Sequence, residues 1–365
     1  MSRQLSRWER IDAFVGWLSV AAELVKAAVS GPFRGRSGAD TYRHHVIQAV
    51  VKKRSHRQLI INSLLQDLVR FNCNNRYLFK SQDQIYVEHC QKHGDQPHFV
   101  STNLGVNGFW IGDPSAKYVV IQFHGGGFAM DATEPHLHFW RKIQSQLADA
   151  GITTTWFHSM YTLTPHEAYP SQIREAVETL RYIMEDIGRL PGEVLIAGDS
   201  AGGNLCLAIL SHLKHRLEDI PELIVNEPLK GAILLSPWVS FSHDWPTAML
   251  NKDKDIDAQE VTSRWSQLYL NGRASNNFVE AVDASEEWWV DIQVEQTLVL
   301  AGADEVLLDP IKAWFSKFET FNPNSTLVVG KSECHVAPLV WPLFGDFHET
   351  EQETALKHWL FQRLG

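Results

Sequence analysis

The chain is poor in the groups that announce several common functions. Its 365 residues hold four cysteines, Cys73, Cys90, Cys206 and Cys334. They lie far apart with no C-x-x-C pair, which excludes a disulfide framework or a zinc knuckle and points to a reduced compartment. Positive charge is also scarce. Lys and Arg number 33 against 43 Asp and Glu, a formal charge of −10, which opposes a general affinity for phosphate backbones or anionic membranes. No nucleic-acid partner is expected, and the basic stretch KKRSHR at 52–57 reads as a solvated helical face. Long apolar runs are missing as well: AFVGWLSVAA at 13–22 offers ten uncharged residues, whereas a helical span of a bilayer takes about 20. A signal peptide fits poorly, because Glu9 and Asp12 interrupt the flank of that run. Internal repeats and low-complexity linkers are absent. Seventeen histidines are present, but His136-x-His138 has no carboxylate or cysteine cluster at ligand spacing, so no metal is expected.

What remains is ordinary globular composition, 44% hydrophobic and 21% charged, in a length that fits one large α/β domain or two ordinary ones. From about residue 98 the pattern alternates between short apolar runs and amphipathic stretches, as a mostly parallel sheet with crossover helices requires. The expected strands are KYVVIQF (117–123), ITTTWF (152–157), EVLIAG (193–198), GAILLS (231–236), QTLVLAG (296–302) and STLVVG (325–330). SQIREAVETLRYIMEDI and DPIKAWFSKFETF supply helical patterns between them.

Two parts break this rhythm: a helical N-terminal region, 1–80, and a tryptophan-rich stretch at 241–290 that interrupts the catalytic unit expected over 81–365. In the first, Glu9, Asp12, Gly16, Ser19, Glu23, Lys26 and Ser30 recur at steps of three and four and form one narrow polar stripe on an otherwise apolar helix. Such a helix packs on the protein as a lid or lies in a membrane interface, and packing is the expectation. Insertions after strand ends sit over the crevice where α/β sheets bind ligands, so both parts are expected to form a helical cap.

The chemistry gathers around GDSAGGNL at 198–205. A serine between glycines at minus two and plus two, after a strand and before a helix, is the nucleophile-elbow spacing: Gly198 and Gly202 permit the sharp turn that lifts Ser200 above the sheet. A serine needs a base. FHGGGF at 123–128 follows an earlier strand, and the N–H groups of Gly125, Gly126 and Gly127, with that of Ala201, can face a developing oxyanion. In this architecture the acid and then the histidine should follow on later loops. LVLAGADEVLLD places Asp304 and Glu305 after one strand, and LVVGKSECHVAP places His335 after the next.

Together with YTLTPHEAYP (161–170) and SPW (236–238), these motifs run through most of 115–340. The chain thereby resembles the hormone-sensitive-lipase-like family of α/β-hydrolases. The resemblance implies an α/β-hydrolase fold with a helical cap and a serine carboxylesterase or lipase-like activity. It also implies Ser200 and His335 as triad members, with Gly125 to Gly127 and Ala201 around the oxyanion. The chain departs from the family at the acid. The usual D-P-L-x-D stretch reads E-V-L-L-D here, which puts Glu305 four residues before Asp309, whereas counting two from Gly302 selects Asp304. Glu305 is the expected acid and Asp304 stays open. WW at 288–289 and EVLLDPI further resemble fungal steryl-acetate deacetylases and hydrolases of secondary-metabolite pathways.

The expected reaction is hydrolysis of an ester of a bulky apolar alcohol through an acyl-enzyme, with no cofactor. Cyclisation or elimination at the same serine, and a ligand receptor without turnover, are the rival readings; His335 speaks against the receptor. Trp238, Trp265, Trp288 and Trp289 suit an apolar substrate or core packing. A cytoplasmic location is expected, with peripheral membrane association and a homodimer left open.

Overall fold

The computed structural model describes residues 80–365 except Asp253, together with Phe14, Leu18 and Val25. The remainder of the expected N-terminal cap region 1–80, with its polar stripe and the basic stretch 52–57, lies outside the described residues. The described chain runs α1 (Gln82–His93), β1 (Phe99–Ser101), β2 (Asn107–Ile111), β3 (Tyr118–Phe123), α2 (Glu134–Asp149), β4 (Thr154–Ser159), α3 (Ser171–Arg181), β5 (Val194–Asp199) and α4 (Ala201–His215). There follow β6 (Gly231–Leu235), α5 (Pro246–Leu250), α6 (Gln259–Leu270), β7 (Thr297–Gly302), α7 (Leu308–Phe321), β8 (Ser325–Gly330), α8 (Ala337–Val340) and α9 (Glu351–Leu364).

The eight strands form one sheet in the order β1-β2-β4-β3-β5-β6-β7-β8. Pairing is parallel from β4 to β8 and antiparallel at the β1-β2-β4 edge. This is the α/β-hydrolase architecture. Central strands read as continuous apolar runs because helices cover both faces. Side chains alternate between two cores, as strand geometry requires: Ile121, Ile196 and Leu234 join Leu205, Ile209 and Trp314 on one face, while Val120, Leu195 and Ile233 join Trp140, Trp156 and Leu360 on the other.

The six expected strands are present with ends shifted by no more than two residues. The edge pair β1 and β2 was not anticipated: β1 is three residues long and half exposed, too short for alternation to register. The 241–290 stretch carries α5 and α6 and reaches across the strand ends. Thr247 N–H donates to Asp309 Oδ2 at 2.9 Å, Asp255 bonds the loop after β7, and Trp265 packs on Gly127 of the loop after β3.

Two of the four tryptophans considered for substrate contact are packing residues. Trp289 is fully buried against Trp314 and Phe318, with centroids at 6.0 and 5.4 Å. Trp288 stacks on His215 at 3.7 Å and donates to Ser211 Oγ at 3.1 Å.

Candidate active site

The carboxyl ends of β3, β5, β6, β7 and β8 lie side by side, and every candidate residue sits on a loop that leaves one of them. Ser200 follows β5 with φ 52° and ψ −116° and caps α4. For a residue with a side chain this is a strained conformation. It is held by Ser200 N–H donating to Leu235 O at 2.9 Å, and by the Ser200 carbonyl accepting from Asn204 and Trp238, both at 3.0 Å. Gly202 is required by contact rather than by φ, since a Cβ there would overlap the carbonyl oxygen of Phe123 at the end of β3. The elbow and the glycine loop are thus pressed together.

Asp199 ties them further. It is buried, and its Oδ2 accepts from Gly125 N–H at 2.9 Å and faces His136 Nε2 at 3.3 Å, while Oδ1 accepts from Gln122 at 3.3 Å. His136 Nδ1 accepts from Thr133 N–H at 3.1 Å, which leaves its proton on Nε2, pointed at Asp199. His136 is therefore a loop anchor. No group of His, Cys, Asp or Glu suited to a metal occurs among the described residues.

Of the three glycines expected at the oxyanion, Gly125 differs from the others, because its N–H is engaged by Asp199. Gly126 and Gly127 have φ of 93° and 58°, and their N–H groups meet no acceptor among the described residues. Ala201 is the first residue of α4, where helix N–H groups lack intrahelical partners. A Cβ on Gly127 would enter the indole of Trp265.

The two candidate acids part company. Glu305 is fully buried, and its Oε2 accepts from Ser236 Oγ at 2.6 Å and lies 3.6 Å from His335 Nδ1. Asp304 points away: its Oδ1 pairs with Lys254 at 3.0 Å at a partly exposed position. The histidine loop is fixed by its backbone, with His335 N–H donating to Asp255 Oδ1 at 2.8 Å and Val336 N–H to Ser236 Oγ at 3.3 Å. Asp255 Oδ2 also accepts from Val306 N–H at 2.6 Å. Among the described residues no hydrogen bond joins Ser200 Oγ to His335, and the 3.6 Å to Glu305 is longer than a hydrogen bond. Catalytic contacts often tighten only when substrate is bound.

Burial alone would lower the pKa of His335, but the carboxylates of Asp257, Glu305 and Asp255 outweigh it and raise the value from 6.5 to about 10. Burial, reinforced by Asp257 and Glu305, raises Asp255 from 3.8 to about 8, against the opposing pull of His335. The nest thus holds protons at neutral pH. Cys334, next to His335, is kept a neutral thiol by burial.

Sequence reasoning missed the supporting residues Asp199, His136, Ser236 and Asp255. Ser236 and Asp199 lie inside motifs that were visible, SPW and GDSAGG, but side-chain partners far along the chain carry no local signal.

The steryl acetyl hydrolase family model matches residues 45–359. The chain is 27% identical over 197 residues to an acetyl-hydrolase of Streptomyces hygroscopicus, covering 53% of this chain and 59% of that protein. It is 24% identical over 206 residues to steryl acetyl hydrolase 1 of Saccharomyces cerevisiae, covering 53% and 46%. The chain spans about half the length of these curated relatives. Among solved structures, an esterase from the bacterial hormone-sensitive lipase family superposes with a TM-score of 0.60 at 22% identity, over 86% of this chain and 99% of that one. Carboxyl esterase 2 from Tuber melanosporum gives 0.60 at 17% identity, over 74% and 88%. The matched span takes in the glycine loop, the serine elbow and the loops of Glu305 and His335, and with it the chain belongs to the steryl acetyl hydrolase family, on an α/β-hydrolase fold.

Proposed function

We propose that the chain is a serine carboxylesterase that removes a short acyl group, acetyl above all, from an ester of a bulky apolar alcohol. The observation that carries the reading is the strained Ser200 elbow, packed against a glycine loop whose Gly126 and Gly127 N–H groups meet no acceptor among the described residues, with His335, faced by a buried carboxylate, on the loop after β8. Ser200 attacks the ester carbonyl while His335 Nε2 takes its proton, and Glu305 keeps the remaining proton on Nδ1. The oxyanion is received by Gly126, Gly127 and Ala201 N–H, donors already aimed before charge develops. His335 then protonates the leaving alkoxide, and water repeats the attack on the acyl-enzyme.

Acetyl is favoured by the family description. An apolar alcohol is favoured by Trp265, whose indole lies against Gly127 of the glycine loop and is backed by the buried rings of Phe128, Tyr269 and Trp238. The stretch 241–290 and the N-terminal region form the cap in this reading. No helix among the described residues is long and apolar enough to cross a membrane.

The test is a series of p-nitrophenyl esters of rising chain length run beside sterol acetates, with a fluorophosphonate label and the Ser200→Ala variant. Turnover should be highest for acetyl esters, and labelling should occur at Ser200. Undiminished turnover by Ser200→Ala would remove the serine mechanism.

A further inference from the structure

Three carboxylates surround the His335 ring, although a triad needs one. Glu305, on the loop after β7, faces Nδ1. Asp255, from the 241–290 stretch, takes the backbone N–H of His335 and of Val306, so its place is structural. Asp257, two residues further on, puts Oδ2 3.7 Å from Nε2. That nitrogen is the one left to receive the Ser200 proton, because Nδ1 is turned to Glu305. Asp257 is only partly enclosed, with its side chain 13% exposed against 3% for His335. It is therefore the more exposed of the two and lies on the Nε2 edge of the ring, the edge that the proposed mechanism turns to Ser200.

We propose that Asp257 is a positioning residue for His335: its carboxylate holds Nε2 in the resting enzyme and sets the pH at which Ser200 is activated. The inference rests on the serine-esterase reading above. Physically, a second anion on the serine side favours the imidazolium twice. In the resting enzyme it retains a proton that must leave before His335 can act as base. During attack it stabilises the imidazolium formed as Ser200 gives up its proton. The net effect is a higher pH threshold with a supported transition state above it. The neighbouring groups do not cancel this arrangement. Among the described residues, Cys334 is a neutral thiol, the cation Lys254 is paired with Asp304, and the other acidic groups near His335 are Glu305, which faces Nδ1, and Asp255, which is turned to the backbone N–H groups of His335 and Val306. The carboxylate of Asp257 heads the influences that hold the proton on the ring.

The test uses the full chain with Asp257→Asn and Asp257→Glu, and Asp304→Asn as a carboxylate change that does not face the ring. Two readouts are followed against pH: kcat/KM for p-nitrophenyl acetate, and the NMR titration of the His335 imidazole, identified by the resonance lost in His335→Gln. Asp257→Asn should move the midpoint of the acid limb, and of the NMR titration, down by about one pH unit or more, with a plateau up to ~10-fold lower, because the support given to the transition state is lost along with the hold on the resting proton. Asp257→Glu should restore most of the shift, and Asp304→Asn should leave the midpoint in place. A merely structural role would lower activity at every pH without moving either midpoint, and that result overturns the proposal. So does a loss of turnover by Asp257→Asn at all pH values with Glu305→Gln nearly as active as the parent, since Asp257 would then be the triad acid. If the parent turns over no ester and takes no fluorophosphonate label, the esterase reading fails. The NMR midpoint still decides the coupling of Asp257 to His335.

Discussion

Replacing Glu305 by glutamine changes one charge at a fully buried position and almost no volume, so its effect can be worked from the geometry. The carboxylate lies 3.6 Å from His335 Nδ1, and two unit charges at that separation interact by ~4–5 kcal/mol at an effective dielectric of about 20. Above the pH at which His335 has given up its resting proton, that attraction arises only as the imidazolium forms, so its loss falls on the transition state and is worth ~10³ in the plateau kcat. The amide adds a second penalty. Its NH2 can donate to Nδ1, which forces the proton to Nε2, the tautomer that cannot accept from Ser200; a comparable change in a known triad costs ~10⁴. Ser236 Oγ can still donate to the remaining amide oxygen, so the loop should keep its position. For Asp304→Asn the loss is a half-exposed pair with Lys254, ~1 kcal/mol or less, and kcat should change less than about fivefold. Steady-state kinetics with p-nitrophenyl acetate, beside circular dichroism to confirm folding, measure both. A larger loss for Asp304→Asn than for Glu305→Gln would refute the assignment.

Ser200→Ala should lower kcat by ~10⁶ and abolish fluorophosphonate labelling, read by intact-protein mass spectrometry. Asp199→Ala releases the Gly125 N–H and His136 together, so kcat should fall ~10²-fold with a smaller change in KM as the oxyanion donors lose their aim; Asp199→Asn should recover part of it. Stability should also depend on pH in a defined direction. The folded pKa values of His335 and Asp255 are both raised, to about 10 and about 8. Their contribution is therefore fully present below the unfolded values and is lost as pH rises through the folded ones. The thermal midpoint should drop between pH 6 and pH 10, and Asp257→Asn should flatten that drop. Deleting residues 1–30, read as a cap from their polar stripe, should leave Ser200 labelling intact while lowering turnover of bulky esters more than that of short ones; liposome sedimentation lost with unchanged kinetics would make the segment an anchor instead.

The sheet was legible because β3 to β7 are buried on both faces and so appear as apolar runs bounded by glycine and charge, and β8, though only half-buried at the edge, keeps the run LVV before its glycine. The edge hairpin was not, since Phe99–Ser101 is short and half exposed and makes its pattern only with its partner strand. The elbow, glycine loop, Glu305 and His335 were readable because each needs a fixed residue type at a fixed distance from a strand end. What separates Asp304 from Glu305 in the structure is direction, since adjacent side chains on a turn point apart. Spacing cannot express that. Asp257 was hidden for a related reason: its closeness to His335 comes from the path of the 241–290 stretch over the sheet, a tertiary fact with no spacing of its own. Gly125 looked equivalent to its two neighbours until the Asp199 carboxylate separated them.

Asn204, one turn into the helix that Ser200 begins, donates to the carbonyl of Trp238 and to that of Val279, each at 2.7 Å. These two carbonyls stand where the chain leaves the sheet for α5 and α6 and where it returns. One buried amide therefore clamps both feet of the excursion to the bed that carries the nucleophile. Loop-closure entropy grows only slowly with length once the ends are fixed. Between its anchors on the β3, β7 and β8 loops, the segment can thus be lengthened or shortened at little cost to the sheet. Grafts that keep Trp238, Asn204 and Val279, and with them Thr247, Asp255, Asp257 and Trp265, should leave the histidine and glycine loops in place while the turns between those anchors vary.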